Sequence, residues 1–266
     1  MAIFAIPAKS RELESRLSKL DELRRYLARH LGESAQPWTG ALRRLAAAEA
    51  TVGSTSIEGY GTSVEAAFEI LAGGHPPQAS EETQRIIAAY GQAMDRVGAL
   101  ADDSHFLWSR QTVLELHFLI CHPQAEARPG RLRDGSVLVA RGPGREPYRP
   151  PESAAVPDLV NELATWLESG DVSRHPVVRA AMAHLNVVSI HPFRDGNGRL
   201  ARVVQSPHPG VLRGPRRGPG RGVRSNAGCI QLGRVLHRCP RLRGDRSRAM
   251  GPGRVRATRF LHQACY

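Results

Sequence analysis

Twelve consecutive residues, His191 to Arg202, bring together the side chains with the clearest chemistry in this chain. His191 can take a proton near neutral pH. Asp195 offers a carboxylate to Mg²⁺, which prefers oxygen ligands and substrate phosphates. Gly196, Asn197 and Gly198 tolerate left-handed backbone angles, so their N–H groups can form a concave anion nest. A helix beginning at about Asn197 would aim its unpaired N–H groups and positive dipole end at the same anion. Arg199 and Arg202, three apart, share a face of that helix and can grip phosphate oxygens. The chemistry implied is the binding of a nucleotide phosphate chain beside a general base.

Other readings of the run fit less well. Gly196-x-Gly198-x-x-Ala201 superficially matches a dinucleotide fingerprint, but that motif follows a β-strand and the residues before His191 read as helix. His184 and His191 lie seven apart, not a usual helix ligand spacing, and no third metal ligand is evident. The complete run instead resembles the signature of the Fic (Fido) family, HxFx(D/E)GNGRxxR, at every defined position. That resemblance implies a mainly α fold: a Fic-type helical bundle with a small β-hairpin flap. It implies AMP transfer from ATP to a Ser, Thr or Tyr hydroxyl of a target protein, with Mg²⁺. It gives His191 the role of base, Phe193 that of loop anchor and Asp195 that of metal ligand. Gly196, Asn197 and Gly198 would cradle the phosphates, and Arg199 and Arg202 would bind them.

Two further stretches acquire meaning beside this run. Ser54-Thr55-Ser56-Ile57-Glu58-Gly59 resembles the (S/T)xxxE(G/N) inhibitory motif that many Fic proteins carry. The expectation is that Glu58 aims its carboxylate at Arg199 and leaves ATP only an unproductive pose. Asp134-Gly135 is a hairpin turn signal followed by a β-rich run. In the family the matching flap aligns a target's main chain as an added strand, which would make Arg133, Asp134, Gly135 and Val137 target-positioning residues.

These residues need helices to hold them. Apolar periodicity predicts helices over 9–31, with Leu13, Leu17, Leu20, Leu23 and Leu27 on one stripe, and over 40–52, 62–71 and 80–97. Further helices are expected over 108–121, 155–169 and 176–190, the last ending at His191. The expected organisation is an N-terminal helical segment (1–100), a core (101–204) and a tail (205–266). A cytoplasmic location is expected: no run of about 18 apolar residues suits a membrane, and the first four residues are too few for a signal peptide. The cysteine spacing suggests neither a disulfide framework nor a zinc site. Self-modification and a homodimer both remain open.

Charge sets the tail apart. The chain is +12, yet residues 205–266 hold 14 Arg, no Lys and Asp245 as their one acid, or +13, which leaves 1–204 at −1. The tail is rich in Arg, Gly and Pro, without apolar period, and begins where the signature helix should continue. Such a composition cannot pack a core. It fits a disordered basic segment, or a GC-rich gene read in the wrong frame. Two alternatives to AMP transfer follow from it: an inert nucleotide-binding remnant that lacks its supporting helices, or an RNA-binding protein acting through the tail. Nucleic acid is not the expected partner, because the body of the chain is near neutral.

Overall fold

The computed structural model describes residues 3–8, 10–31, 38–103, 105–140, 142, 144–171 and 174–206. The expectations for the tail beyond Ser206, and for the turn at Gln36-Pro37, lie outside them. Two units divide the chain: Met1–Val139 with Tyr148–Arg216, and Ala140–Pro147 with Arg217–Tyr266. All described helices belong to the first. In the second, the Arg145 N–H donates to the Gly142 carbonyl.

The helices in chain order are α1 (Arg11–Leu31), α2 (Thr39–Ile57), α3 (Val64–Leu71), α4 (Glu81–Asp102), α5 (Arg110–Cys121), α6 (Val156–Ser169), α7 (Pro176–Ile190) and α8 (Asn197–Val204). Short 3-10 turns occur at Ala125–Ala127 and Ser153–Ala155. Their starts have local causes. Ser63, Ser80 and Ser109 cap α3, α4 and α5 by accepting the N–H of the residue three positions on, which satisfies an otherwise orphan donor. Pro176 opens α7, where a missing N–H costs nothing.

Packing organises around α8. It contacts α7, α5, α4 and α2, and Leu200, Ala201, Val203 and Val204 are fully buried in the main core. Val113, Leu116 and Ile120 of α5 and Val160 and Leu163 of α6 complete that core. A smaller cluster, with Ala48, Ala67, Ile70 and Ile87, joins α2, α3 and α4.

Three expectations are corrected. On α1 only Leu17 of the leucine stripe is buried, while Leu23 and Leu27 are more than half exposed. Helix α2 runs five residues further than its apolar pattern, to Ile57. Thr51 and Thr55 donate their hydroxyls to carbonyls one turn back, Ala47 and Thr51, and Ser54 and Thr55 are buried. The flap is not a hairpin turned at Asp134-Gly135: among the described residues its pairing is one antiparallel bridge, Val139 with Tyr148. Proline explains this, since Pro147, Pro150 and Pro151 in the returning segment have no N–H to extend a ladder.

Candidate active site

Helix α7 delivers His191. Its last turn closes on a left-handed residue, and that residue is His191 itself, at φ 49° and ψ 59°. A side chain with a Cβ adopts this conformation seldom. The turn folds the imidazole back on the helix end, where Nδ1–H donates to the Val188 carbonyl at 3.3 Å. That tautomer leaves Nε2 as the free acceptor. Burial pushes the His191 pKa below its usual value, the Val188 bond opposes the shift, and the nearby Arg133 charge adds to it. The imidazole is therefore held neutral near pH 7, as a base requires.

The loop after His191 is fixed from below. Phe193 is fully buried and stacks on His117 with ring centroids 3.6 Å apart. His117 Nε2–H donates to the Asp195 carbonyl at 2.9 Å, and Nδ1 accepts the Gly130 N–H at 3.0 Å. Only the neutral ring can do both, and burial lowers its pKa to about 4. Asn197 is also buried. Its Oδ1 accepts the Phe193 N–H at 3.0 Å and its Nδ2 donates to the Phe193 carbonyl at 2.9 Å. Its amide thus shapes the loop, and the nest expected here is a matter of backbone N–H groups, not of this side chain.

Gly196 is the N-cap of α8 at φ 73° and provides no side-chain acceptor to the first turn. A Cβ there would collide with Cys121 Sγ, so both conformation and space require glycine. The first N–H groups of α8 thus remain available to an anion. Asp195 Oδ1 accepts the Gly196 N–H at 2.7 Å, while the side chain stays half-exposed.

Both arginines are engaged from outside the signature. Arg199 is 1% exposed, and its Nη2 donates to Gln124 Oε1 at 2.7 Å. Gln124 Nε2 in turn donates to the Tyr60 hydroxyl at 2.7 Å. Arg199 Nε and Nη1 are buried without an acceptor among the described residues, an arrangement that an anionic ligand would satisfy. Arg202 Nε donates to Ser54 Oγ at 2.7 Å, and Nη2 donates to Glu58 Oε1 at 2.6 Å and to the Ser54 carbonyl at 3.1 Å. Glu58 therefore pairs with Arg202, and the expected pairing with Arg199 is corrected. The longer α2 is the reason: it places Ser54 and Glu58 one turn apart on the side facing α8. Gly59, at φ 90°, ends the helix by donating its N–H to the Ser56 carbonyl.

The Glu58 carboxylate also lies close to Gly198. A Cβ on Gly198 would lie 2.8 Å from Glu58 Oε1. One carboxylate oxygen thus sits against the first turn of α8.

The flap residues are placed differently from expectation. Asp134 is exposed and pairs with Arg128 at 2.7 Å. Gly135 lies in a bend, and Val137 in the irregular segment that leads to the bridge. Arg133 is buried and points inward, with Nε 2.8 Å from the His191 carbonyl. His117, Gln124 and Tyr60 were not singled out from sequence. A histidine within the apolar run of α5 was the one available signal for His117.

A charged loop between α7 and α8 thus carries a half-buried histidine at one end and two engaged arginines at the other, on a mainly helical scaffold. Residues 107–206 match the Fic/DOC family. Over 107 residues, 40% of this chain, it is 31% identical to protein adenylyltransferase fic-1 of Caenorhabditis elegans and covers 20% of that protein. Over 115 residues, 43% of this chain, it is 31% identical to protein adenylyltransferase Fic of Aedes aegypti and covers 22% of it. The chain thus spans about a fifth of the length of these curated relatives. A Fic family protein from Desulfovibrio desulfuricans G20 superposes with a TM-score of 0.61 at 25% identity, over 79% of this chain and 60% of that one.

Proposed function

We infer that this chain transfers AMP from ATP to a hydroxyl side chain of a protein, and that Glu58 restrains the reaction. The observation that carries the reading is the placement of Glu58 on Arg202 and over Gly198, beside Arg199 with two buried, unanswered N–H donors. That site is built for several negative charges and partly filled by one. The names of the curated relatives, protein adenylyltransferases, agree with it.

The chemistry follows from the residues. His191 Nε2 accepts the proton of the target hydroxyl, whose oxygen forms a bond to the α-phosphorus of ATP. The bond from that phosphorus to the bridging oxygen breaks, and pyrophosphate leaves with the electron pair. Arg199, Arg202 and the first N–H groups of α8 hold the phosphate oxygens, so positioning and charge neutralisation supply most of the rate. The half-exposed Asp195 carboxylate suits Mg²⁺, which typically takes one or two protein carboxylates together with substrate phosphates. When bound there, Mg²⁺ supplies further neutralisation of the phosphate charge. The proposed partner is a protein carrying a Ser, Thr or Tyr hydroxyl, with self-modification as a special case, and the proposed setting is the cytoplasm. No helix among the described residues is long and apolar enough to cross a membrane.

Incubation with ATP labelled at the α-phosphate tests the reading. Label should enter protein in the presence of Mg²⁺, and more strongly in Glu58→Gly. Label from the γ-phosphate entering instead would replace AMP transfer with phosphoryl transfer. For the Arg-rich tail we propose an out-of-frame origin, supported by the break in charge and pattern at residue 205. Reading the coding DNA around codon 205 in all three frames tests it: an open frame encoding amphipathic helices is expected, and stop codons crowding both other frames would refute it.

A further inference from the structure

We propose that Arg133 is the positioning residue of the base, its buried guanidinium fixing the backbone of His191 and so the direction of the imidazole. The inference rests on the reading of His191 as the base.

Arg133 is 6% exposed, and among the described residues it forms no ion pair. Its three nitrogens each donate to a backbone carbonyl. Nε meets the His191 carbonyl at 2.8 Å, Nη1 meets the Gly135 carbonyl at 2.9 Å, and Nη2 meets the Pro151 carbonyl. Its own backbone N–H donates to the Pro192 carbonyl at 2.9 Å. One side chain thereby ties the base loop to its own turn and to the segment that enters α6. Burying a cation is unfavourable unless its donors are met, and here the three carbonyl bonds meet them, with the Glu152 charge acting from further off.

The geometry at stake is the left-handed turn at His191. Residues with a Cβ hold φ near 50° only when their surroundings impose it. Arg133 grips the carbonyl of this residue and, through its own N–H, the carbonyl of the next. From the other side the Tyr148 hydroxyl donates to the Ser189 carbonyl at 2.9 Å. Released from the arginine, the turn can relax toward ordinary backbone angles, and Nε2 then swings away from the hydroxyl it must meet. Nucleotide binding is a separate matter, because the groups that hold phosphate lie on α8. Lysine cannot replace the arginine: an ammonium is a point charge without the planar fork that serves three carbonyls at once.

The test uses the full chain carrying Glu58→Gly as parent, with Arg133→Lys and Arg133→Ala added separately and folding followed by thermal unfolding. In Arg133→Lys, ATP affinity should stay within about twofold while kcat for transfer falls at least tenfold, because positioning errors act on the chemical step. In Arg133→Ala, millimolar guanidinium should restore part of kcat, and methylammonium should not. The His191 imidazole signal in a ¹³C–¹H NMR spectrum, assigned with His191→Gln, should move in both variants and return with guanidinium. A kcat within twofold of the parent in either variant would overturn the proposal. So would failure of both variants to fold without recovery in guanidinium, since that makes Arg133 a structural residue only. If the parent itself transfers no AMP, the reading of the reaction fails, and the His191 signal still decides whether Arg133 positions that ring.

Discussion

Glu58 Oε1 stands 2.6 Å from Arg202 Nη2, in a pair that leaves 27% of the glutamate side chain and 17% of the arginine side chain exposed. Ser54, one turn earlier on α2, holds the same guanidinium with its hydroxyl and its carbonyl. Arg202 is thus occupied by helix α2 on both its Nε and Nη2 sides. A charge-assisted bond of this kind is worth about 1.5–3 kcal/mol. Glu58→Gly should therefore raise productive ATP binding and AMP transfer by on the order of tenfold to a hundredfold. The gain should vanish in an Arg202→Ala background, where the two changes address one interaction. Titrating ATP against the four proteins of this cycle checks the claim, and equal gains in both backgrounds would reject it.

Gln124 bridges Tyr60 and Arg199, so it fixes the Nη2 of a guanidinium whose Nε and Nη1 have no acceptor among the described residues. Gln124→Leu leaves a further buried donor unmet and should lower stability by about 1–3 kcal/mol. Tyr60→Phe takes the acceptor from Gln124 Nε2 but leaves Arg199 its bond to Gln124 Oε1, so it should cost less, about 1–2 kcal/mol. Urea unfolding of the two variants measures both, and a larger loss from Tyr60→Phe would contradict this order.

His117 makes stability depend on acidity. Its folded pKa is about 4, below the ordinary value of 6.5. Between these values the unfolded chain binds the proton and the folded one does not, so stability rises with pH there. The contribution is fully present above about 6.5 and is lost as pH falls toward 4, a difference of roughly 3 kcal/mol at most. His117→Gln, whose amide can still donate to Asp195 and accept from Gly130, should flatten this part of the curve. Thermal unfolding between pH 4 and 7.5 is the check; parallel curves for the two proteins would exclude His117 as the source.

Sequence pattern located the backbone of the site well. The bounds of α7 and the start of α8 fall where apolar period and glycine chemistry put them, because both are set by local rules. Phe193 is the buried anchor that the signature implied. What sequence could not supply were partners remote along the chain. His117 meets Asp195 across 78 positions, and Gln124 meets Arg199 across 75. Arg133 donates to carbonyls, which every residue possesses, so no residue type betrays its role. The motif at residues 54–59 points to an arginine of the signature without saying which, and the structure selects Arg202 over Arg199. Five more helical residues rotate Glu58 toward Arg202.

The base is the centre of the account, and one comparison addresses it directly. Glu58→Gly and the double variant Glu58→Gly, His191→Ala are incubated with Mg²⁺ and ATP labelled at the α-phosphate, and ATP affinity is measured alongside. With His191 as base, the double variant should bind ATP within about threefold of the single one while transfer falls by a factor on the order of a hundred to ten thousand, the usual contribution of a general base. Transfer at an undiminished rate in the protein lacking His191 would contradict the account.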